Sequence, residues 1–467
     1  MEIGIMKRLM LIFMLGVAIS LQAQQMPSSF DGRWWLAMLE EAQLPINLTF
    51  NDGTPVLYSP MQTKEPMTAS KWSFSGDTLR VTHSQTGVKL TLVWNAKDST
   101  FAGTFRQGLM RAQITFEPAE GMFTLNRPQT PLPPFPYTSE EVIIVRKKAG
   151  VTLAGTLTIP EGKGPFPAVV LVSGSGQQNR DEELLGHKPF LVLADYLTRN
   201  GIAVLRYDDR GIGGSKGEVQ KATTLDFADD AEAVFNFLRK HKQIDSKRVG
   251  IIGHSEGGMI APIVASRNGK VAFIVLLAGP GCSGADILLQ QIERIYQLQG
   301  TPQELIDRRL DFTRSVFDIS DTVSDYSSAV FKLNEQKTQG LTAEQRKQAG
   351  MSKSDTYLMI SQMDNAWMKA FVKLNSTDYL ARTRCPILAV NGDKDCQVLP
   401  LNLGLIDNAT GGKAVIRLMP GLNHLMQHCD TGAPSEYMLI DETMAPEVLQ
   451  IVAEWVIQTC KTERNKK

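Results

Sequence analysis

The stretch Ile251-Ile252-Gly253-His254-Ser255-Glu256-Gly257-Gly258 joins an apolar run to Gly-x-Ser-x-Gly and then to a helix-like pattern. Met259, Ile260, Ile263 and Val264 follow at helical spacing, and Asn268-Gly269 reads as a left-handed stop. Pro262 inside that helix requires a local kink. A serine on a sharp strand-to-helix turn stands in strained backbone, and flanking glycines admit neighbouring chain where a Cβ would clash. The context marks Ser255 as a candidate nucleophile. The pattern alone does not decide, because it recurs at Gly213-Gly214-Ser215-Lys216-Gly217. That second copy follows the polar Tyr207-Asp208-Asp209-Arg210 and precedes a polar stretch, so Ser215 reads as a loop residue.

Around the first copy, strands alternate with helices. Ala168 to Val172 is an apolar strand, Leu191 to Leu197 a helix ended by Asn200-Gly201, and Ile202 to Leu205 another strand. Phe227, Ala231, Val234, Phe235 and Leu238 give the next helix, and Arg248 to Ile252 is the strand that feeds Ser255. Repeated βαβ units predict a parallel sheet covered on both faces. After Val271 to Leu277 the alternation breaks: residues from about 282 to 383 read as helical throughout, with Thr301-Pro302-Gln303-Glu304 and Thr342-Ala343-Glu344-Gln345 as capping boxes. Strand signals resume at Pro386 to Val390 and Ala414 to Leu418, and a last helix covers Ala445 to Thr459, so the helical segment is an insertion in one continuous α/β domain. It leaves from the carboxyl end of a strand, where such folds bind ligands, and so reads as a cap over the site. Met359, Met363, Trp367, Met368 and Phe371 recur near helical spacing in it, either as its own small core or as the wall of an acyl pocket.

Upstream the texture differs. Ile46 to Phe50, Thr78 to Val81 and Lys89 to Val93 alternate, with Asn51-Asp52-Gly53 and Ser75-Gly76-Asp77 as turns, which predicts an antiparallel β-domain over 24–126. Pro128, Pro131, Pro133, Pro134 and Pro136 make 127–137 a stiff extended linker to the domain at 138–467. At the start, Lys7 and Arg8, an apolar run from Leu9 to Ile19 and Ser20-Leu21-Gln22-Ala23 outline a secretory signal peptide over 1–23. The run is too short to span a bilayer and nothing later is longer, so the expectation is export to a periplasm or beyond without a stable membrane anchor.

With 49 basic and 49 acidic residues there is no global field to favour nucleic acid or an anionic membrane. The cysteines 282, 385, 396, 429 and 460 lack metal-ligand spacing, His-Glu-x-x-His is absent, and neither glycine-rich stretch completes a dinucleotide or P-loop motif, so no metal or cofactor is expected. Cys396 and Cys429 read either as a bridge or as small buried apolar residues.

A serine hydroxyl needs a base, and the base a buried carboxylate, both on loops after strands. Asn391-Gly392-Asp393-Lys394-Asp395 and Gly421-Leu422-Asn423-His424 stand at those places, giving the order Ser255, Asp395, His424. These motifs, with Val172-Ser173-Gly174-Ser175-Gly176 and Arg206-Tyr207-Asp208-Asp209-Arg210-Gly211, resemble the α/β-hydrolase superfamily, and within it the exported bacterial serine carboxylesterases with an N-terminal β-domain. The resemblance implies an α/β-hydrolase fold with a helical cap insertion, preceded by a small antiparallel β-domain. It implies a small-molecule ester substrate cleaved through an acyl-enzyme, with Ser255 as nucleophile, His424 as base and Asp395, the end of Gly-x-x-Asp, as acid; Asp393 is the alternative acid. The oxyanion donors it implies are the backbone N–H groups of Glu256 and Ser175, with Ser173 standing where the family usually has His. His428 reads as a surface or supporting residue, and His83, His187 and His241 as structural. Arg180, Asp181 and Arg206 are expected in loop-stabilising ion pairs. Two other readings stay open: a serine peptidase of the prolyl-oligopeptidase kind, disfavoured because the upstream domain is too short for a propeller, and a binding protein that has lost the chemistry. Oligomeric state is not legible.

Overall fold

The computed structural model describes residues 26–39, 44–60, 65–108, 110–320, 323 and 325–465. The expected signal peptide, 1–23, lies outside them. The chain divides between Leu125 and Asn126 into two compact units.

In the first unit, β1 (Trp34–Leu39), β2 (Leu44–Asn51), β3 (Thr54–Tyr58), β4 (Met67–Thr68), β5 (Lys71–Ser75), β6 (Thr78–His83), β7 (Val88–Asn95), β8 (Thr100–Gln107) and β9 (Met110–Ala119) form one antiparallel sheet. Its order is β4-β3-β2-β1-β9-β8-β7-β6-β5, which is not a propeller. Asp52-Gly53, both at positive φ (49° and 73°), closes the β2–β3 hairpin as a two-residue loop of mirror-image twist. Alternation is clean in β6 and β7, where Leu79, Val81, Val88, Leu90 and Leu92 point inward. In β2 it fails: both faces are buried, because Asn47 donates to Tyr58 O and accepts from Phe123 N, and Thr49 donates to Arg33 O. The polar face is thus covered by chain it hydrogen-bonds. The core is aromatic, with Phe30, Trp35, Phe50, Trp94 and Phe101 in mutual edge and tilted contacts.

The second unit opens with β10 (Tyr137–Arg146) and β11 (Val151–Pro160), followed by β12 (Phe166–Val172), α1 (Pro189–Arg199), β13 (Ala203–Tyr207), α2 (Thr224–Leu238), β14 (Ile244–His254), α3 (Gly257–Arg267) and β15 (Ile274–Leu277). The insertion then supplies α4 (Gly284–Leu298), α5 (Gln303–Ile319), α6 (Tyr326–Lys337), α7 (Ala343–Gln348), α8 (Lys353–Met363), α9 (Ala366–Phe371) and α10 (Ser376–Leu380). The sheet resumes with β16 (Ile387–Gly392), α11 (Leu401–Ala409), β17 (Val415–Met419) and α12 (Pro446–Asn465).

The sheet order is β10-β11-β13-β12-β14-β15-β16-β17. From β13 to β17 every pairing is parallel, as the βαβ pattern requires; β10 and β11 add an antiparallel edge that the alternation did not announce. Successive residues of each strand serve opposite faces. Val170, Ile251, Leu276 and Ala389 pack with α2 and α3, while Val169, Leu171, Ile252, Val275, Leu388 and Val390 pack with α1 and α12. The start of the proline-rich stretch is fastened to this unit: Arg127 donates to the carbonyls of Leu185, Met438 and Ile440, and Gln129 to Met444 O.

Two expected helix ends differ. Asn268 is extended (φ −118°) and Gly269 is not at positive φ, so α3 stops without a left-handed cap. Pro302, not Thr301, precedes α5 and offers no side-chain acceptor, so that capping box does not form, whereas the one at Thr342 and Gln345 does. The proline fixes the chain direction one residue later than the threonine could cap.

Four of the six tryptophans lie in the β-unit, so its unfolding is visible in fluorescence. Phe101→Ala should destabilise that unit by about 3–5 kcal/mol, read as an earlier urea transition of tryptophan emission.

Candidate active site

Ser255 follows β14 directly at φ +53°, a left-handed conformation that a non-glycine residue holds only when its surroundings enforce it. The enforcement is contact. A Cβ on Gly253 would sit 1.9 Å from Gly257 O, and one on Gly257 would sit 2.1 Å from Val172 O. The turn between β14 and α3 closes only with glycine at both places. Ser215, in the other copy of the pattern, is buried; its hydroxyl donates to Asp208 O and accepts from Ala154 N, which is a structural role.

Asp395 follows β16 and His424 follows β17. Asp395 is buried, its Oδ1 accepting from Gln397 N (2.8 Å) and Val398 N (2.9 Å) and its Oδ2 lying 2.9 Å from His424 Nδ1. Asp393 instead caps the Gly421 amide at 2.7 Å and is exposed. With Nδ1 held by the carboxylate, His424 keeps Nε2 for the cavity it lines with Ser255. That cavity, about 310 Å³, is also lined by Ser175, Glu256, Pro280, Leu288, Trp367 and Phe371. The amides of Ser175 and Glu256 have no acceptor among the described residues. A hydroxyl, an imidazole oriented by a carboxylate and two available N–H groups on one cavity are the components of nucleophilic acyl transfer.

The loop carrying Ser175 is held by two acids, at successive residues. Ser173 Oγ donates to Asp209 (3.2 Å) and Gly174 N to Glu182 Oε1 (2.7 Å). Burial pushes Asp209 up to about 7 and raises Glu256 as well. Glu182 differs in having a cation. His254 Nδ1 lies 2.9 Å from Glu182 Oε1, and His254 Nε2 lies 3.0 Å from the carbonyl of His424. Both ring nitrogens face acceptors, so the ring carries both protons. Burial alone would lower its pKa, but the Glu182 carboxylate overrides it and holds the group at about 9. Glu182 and His254 were not singled out from sequence; the one signal was an acid in the loop after β12 and a histidine beside the nucleophile.

The other histidines fall outside the chemistry. His187 is wedged between Thr443 and Tyr437 O, and burial lowers it to about 4. His428 is exposed between Glu442 and Glu447. His83 meets Thr86 and His241 meets Glu140. Cys396 and Cys429 are free thiols, donating to Gly432 O and Gly421 O, so the possible bridge is absent. The loop ion pairs form as Arg180–Asp208 (2.9 Å) and Arg206–Asp181. The apolar stripe of the insertion divides: Met359, Met363 and Met368 enter its own core, while Trp367 and Phe371 line the cavity. No group of side chains suited to a metal ion occurs among the described residues.

Because His254 is raised from 6.5 to about 9, its pairing stabilises the fold fully below pH 6.5 and is lost as pH rises through 9. The wild-type melting temperature should therefore fall between pH 7 and pH 10 more than that of Glu182→Gln, in which the raising charge is gone.

Comparison with known proteins places these features in a family. EstD, an esterase of Thermotoga maritima, is 36% identical over 146 residues, 31% of this chain and 35% of that one. The rat acyl-coenzyme A amino acid N-acyltransferase 2 is 31% identical over 128 residues, 27% of each chain. The chain covers less than half the length of the curated relatives it first matches, 35%, 44% and 38%. A solved Pyrococcus furiosus esterase is 16% identical, covering 72% of this chain and 99% of that one at a TM-score of 0.41. Residues 188–428, just over half of the chain and spanning Ser255, Asp395 and His424, match the family described as serine aminopeptidase, S33 (Hydrolase_4), and the protein belongs to that family of α/β-hydrolases.

Proposed function

We propose that this hydrolase cleaves carboxylic esters through an acyl-enzyme. Ser255 attacks the ester carbonyl, His424 Nε2 takes its proton and returns it to the leaving alcohol, and Asp395 holds the imidazole and stabilises its charged form. The oxyanion is received by the amides of Glu256 and Ser175, at the positive end of α3. Water, activated by His424, then releases the acid. The observation that carries this reading is the 2.9 Å contact of His424 Nδ1 with Asp395 Oδ2, formed by two loops that are 29 residues apart and meet beside the strained Ser255.

The cavity supports a small, uncharged substrate. Beside Ser255 and His424, its walls are apolar side chains, the His187 ring, the hydroxyls of Ser175 and Thr443 and the amides of Gln178, Gln291 and Gln397, and its two carboxylates already have partners in His254, Thr224 and Trp367. At about 310 Å³ it stands at the lower end of small-molecule sites. The family description favours one second reading, an aminopeptidase, which needs a group to receive a substrate amine. We assign the place of action outside the cytoplasm on the strength of the leader at 1–23, and the substrate is a free small molecule rather than a nucleic acid or a membrane component.

With p-nitrophenyl esters of increasing acyl length against aminoacyl anilides, wild type should turn over short esters and Ser255→Ala should not. Asp395→Asn should lower kcat by about 10⁴-fold, because it presents the wrong partner to Nδ1. Preference for anilides would replace the esterase reading with the peptidase, and turnover of either series by Ser255→Ala would remove the mechanism.

A further inference from the structure

Trp367 stands on α9 of the insertion, its ring stacked on Phe371 at 5.0 Å and both facing the cavity. Its indole N–H, which can only donate, reaches Glu256 Oε1 at 2.9 Å. The same oxygen takes the hydroxyl of Thr224, the first residue of α2, at 2.6 Å. The Glu256 side chain is 3% exposed and has no cation among its described partners. A carboxyl buried in that way is expensive, and an apolar residue at 256 would keep the backbone amide without the expense. What the carboxyl adds is a fixed connection between three places: the sheet-side helix α2, the insertion, and the peptide unit that follows the nucleophile.

We propose that Trp367 and the Glu256 carboxyl form a positioning strut, through which the cap helix α9 fixes the oxyanion donor at Glu256 N. This rests on Ser255 being the nucleophile as read above. The strut makes one side chain serve two tasks. Its ring is a wall for the acyl group, and its N–H holds the carboxyl whose own backbone faces the developing oxyanion. Hydrogen-bond strength falls steeply with misalignment, so a donor released by a fraction of an ångström stabilises the transition state less while ground-state binding is little changed. Trp367 and the Glu256 side chain are positioning residues: neither touches the reacting atoms.

The test uses the full mature chain with p-nitrophenyl acetate. Trp367→Phe keeps the aromatic wall and removes the N–H; kcat should fall about 10- to 100-fold with KM within about twofold. The affinity for a trifluoromethyl ketone, whose hemiketal with Ser255 bears an oxyanion, should fall by the same factor. Glu256→Gln retains an acceptor oxygen for Trp367 and should be about tenfold faster than Glu256→Ala, with melting temperatures recorded for all variants to exclude loss of fold. A Trp367→Phe enzyme with unchanged kcat and ketone affinity and a raised KM would reduce Trp367 to a pocket wall and overturn the strut. Equal kcat in Glu256→Gln and Glu256→Ala would do the same. Turnover persisting in Ser255→Ala would instead overturn the reading beneath it, which keeps the two failures apart.

Discussion

Ser255 can be held at φ +53° only because the chain on either side of it packs against itself without side chains. The close approaches of Gly253 to Gly257 O and of Gly257 to Val172 O are backbone against backbone, so no neighbouring side chain could yield to make room. Strain at the serine is offset by the β14 pairing on one side and by α3 on the other, both embedded in the two apolar layers that sandwich the sheet. The rest of the site is placed relative to this turn. Its sharpness lifts the hydroxyl clear of the strand and leaves the following amide at the first turn of α3, with no helix carbonyl to bond.

Electrostatics then act on the loop after β12. A backbone donor aimed at a developing charge is useful only if it does not move when the charge appears. Here Ser173 and Gly174 are each tied to a separate acid, and the acids around the site differ in how their charge is offset. Glu182 is paired with the imidazolium of His254, which also grips the carbonyl of His424. One ion pair thus joins the donor loop to the loop of the general base. Asp209 and Glu256 have only hydrogen-bond donors, and both are correspondingly shifted toward their neutral forms. Where the family usually has histidine, Ser173 spends its hydroxyl on Asp209, so the loop is held through its side chain at that position as well as through its backbone.

Much of this was legible because it depends on short-range pattern. Strands of alternating or continuous apolar residues, helices with glycine after them, and post-strand loops carrying an acid and a histidine are each fixed by local periodicity and turn chemistry. Asp395 and Asp393 could be ranked only by resemblance, since two residues of spacing do not say which carboxyl turns inward; the amides of Gln397 and Val398 decide it. The edge strand β10 was missed because polar residues on one side, such as Glu140 and Glu141, break the apolar run of a buried parallel strand, and β11 beside it alternates, with Thr152, Thr156 and Thr158 between its apolar residues. Glu182 and His254 were missed because 72 residues separate them and neither carries a pattern of its own. The failed box at Thr301 shows the opposite error, a correct motif displaced by one residue of proline geometry.

The insertion illustrates how one periodic stripe can serve two ends. Met359, Met363 and Met368 fill the space among its own helices, a task suited to flexible thioethers, while Trp367 and Phe371 turn the same short segment toward the cavity. Periodicity could not separate these roles, because α9 is a single turn and a half and both faces of it are covered. Rigid rings lose little conformational freedom when they form a wall, whereas methionines adapt to whatever volume remains. The division therefore places the rigid surface where a ligand would be read and the adaptable one where only filling is needed. The sheet supplies the chemistry through backbone geometry that tolerates almost no change, and the insertion supplies one wall of the cavity, with Ile287, Leu288, Trp367 and Phe371. Of the two rings, Phe371 is accordingly the one whose substitution alters the wall alone, because Trp367 also donates to the Glu256 carboxyl.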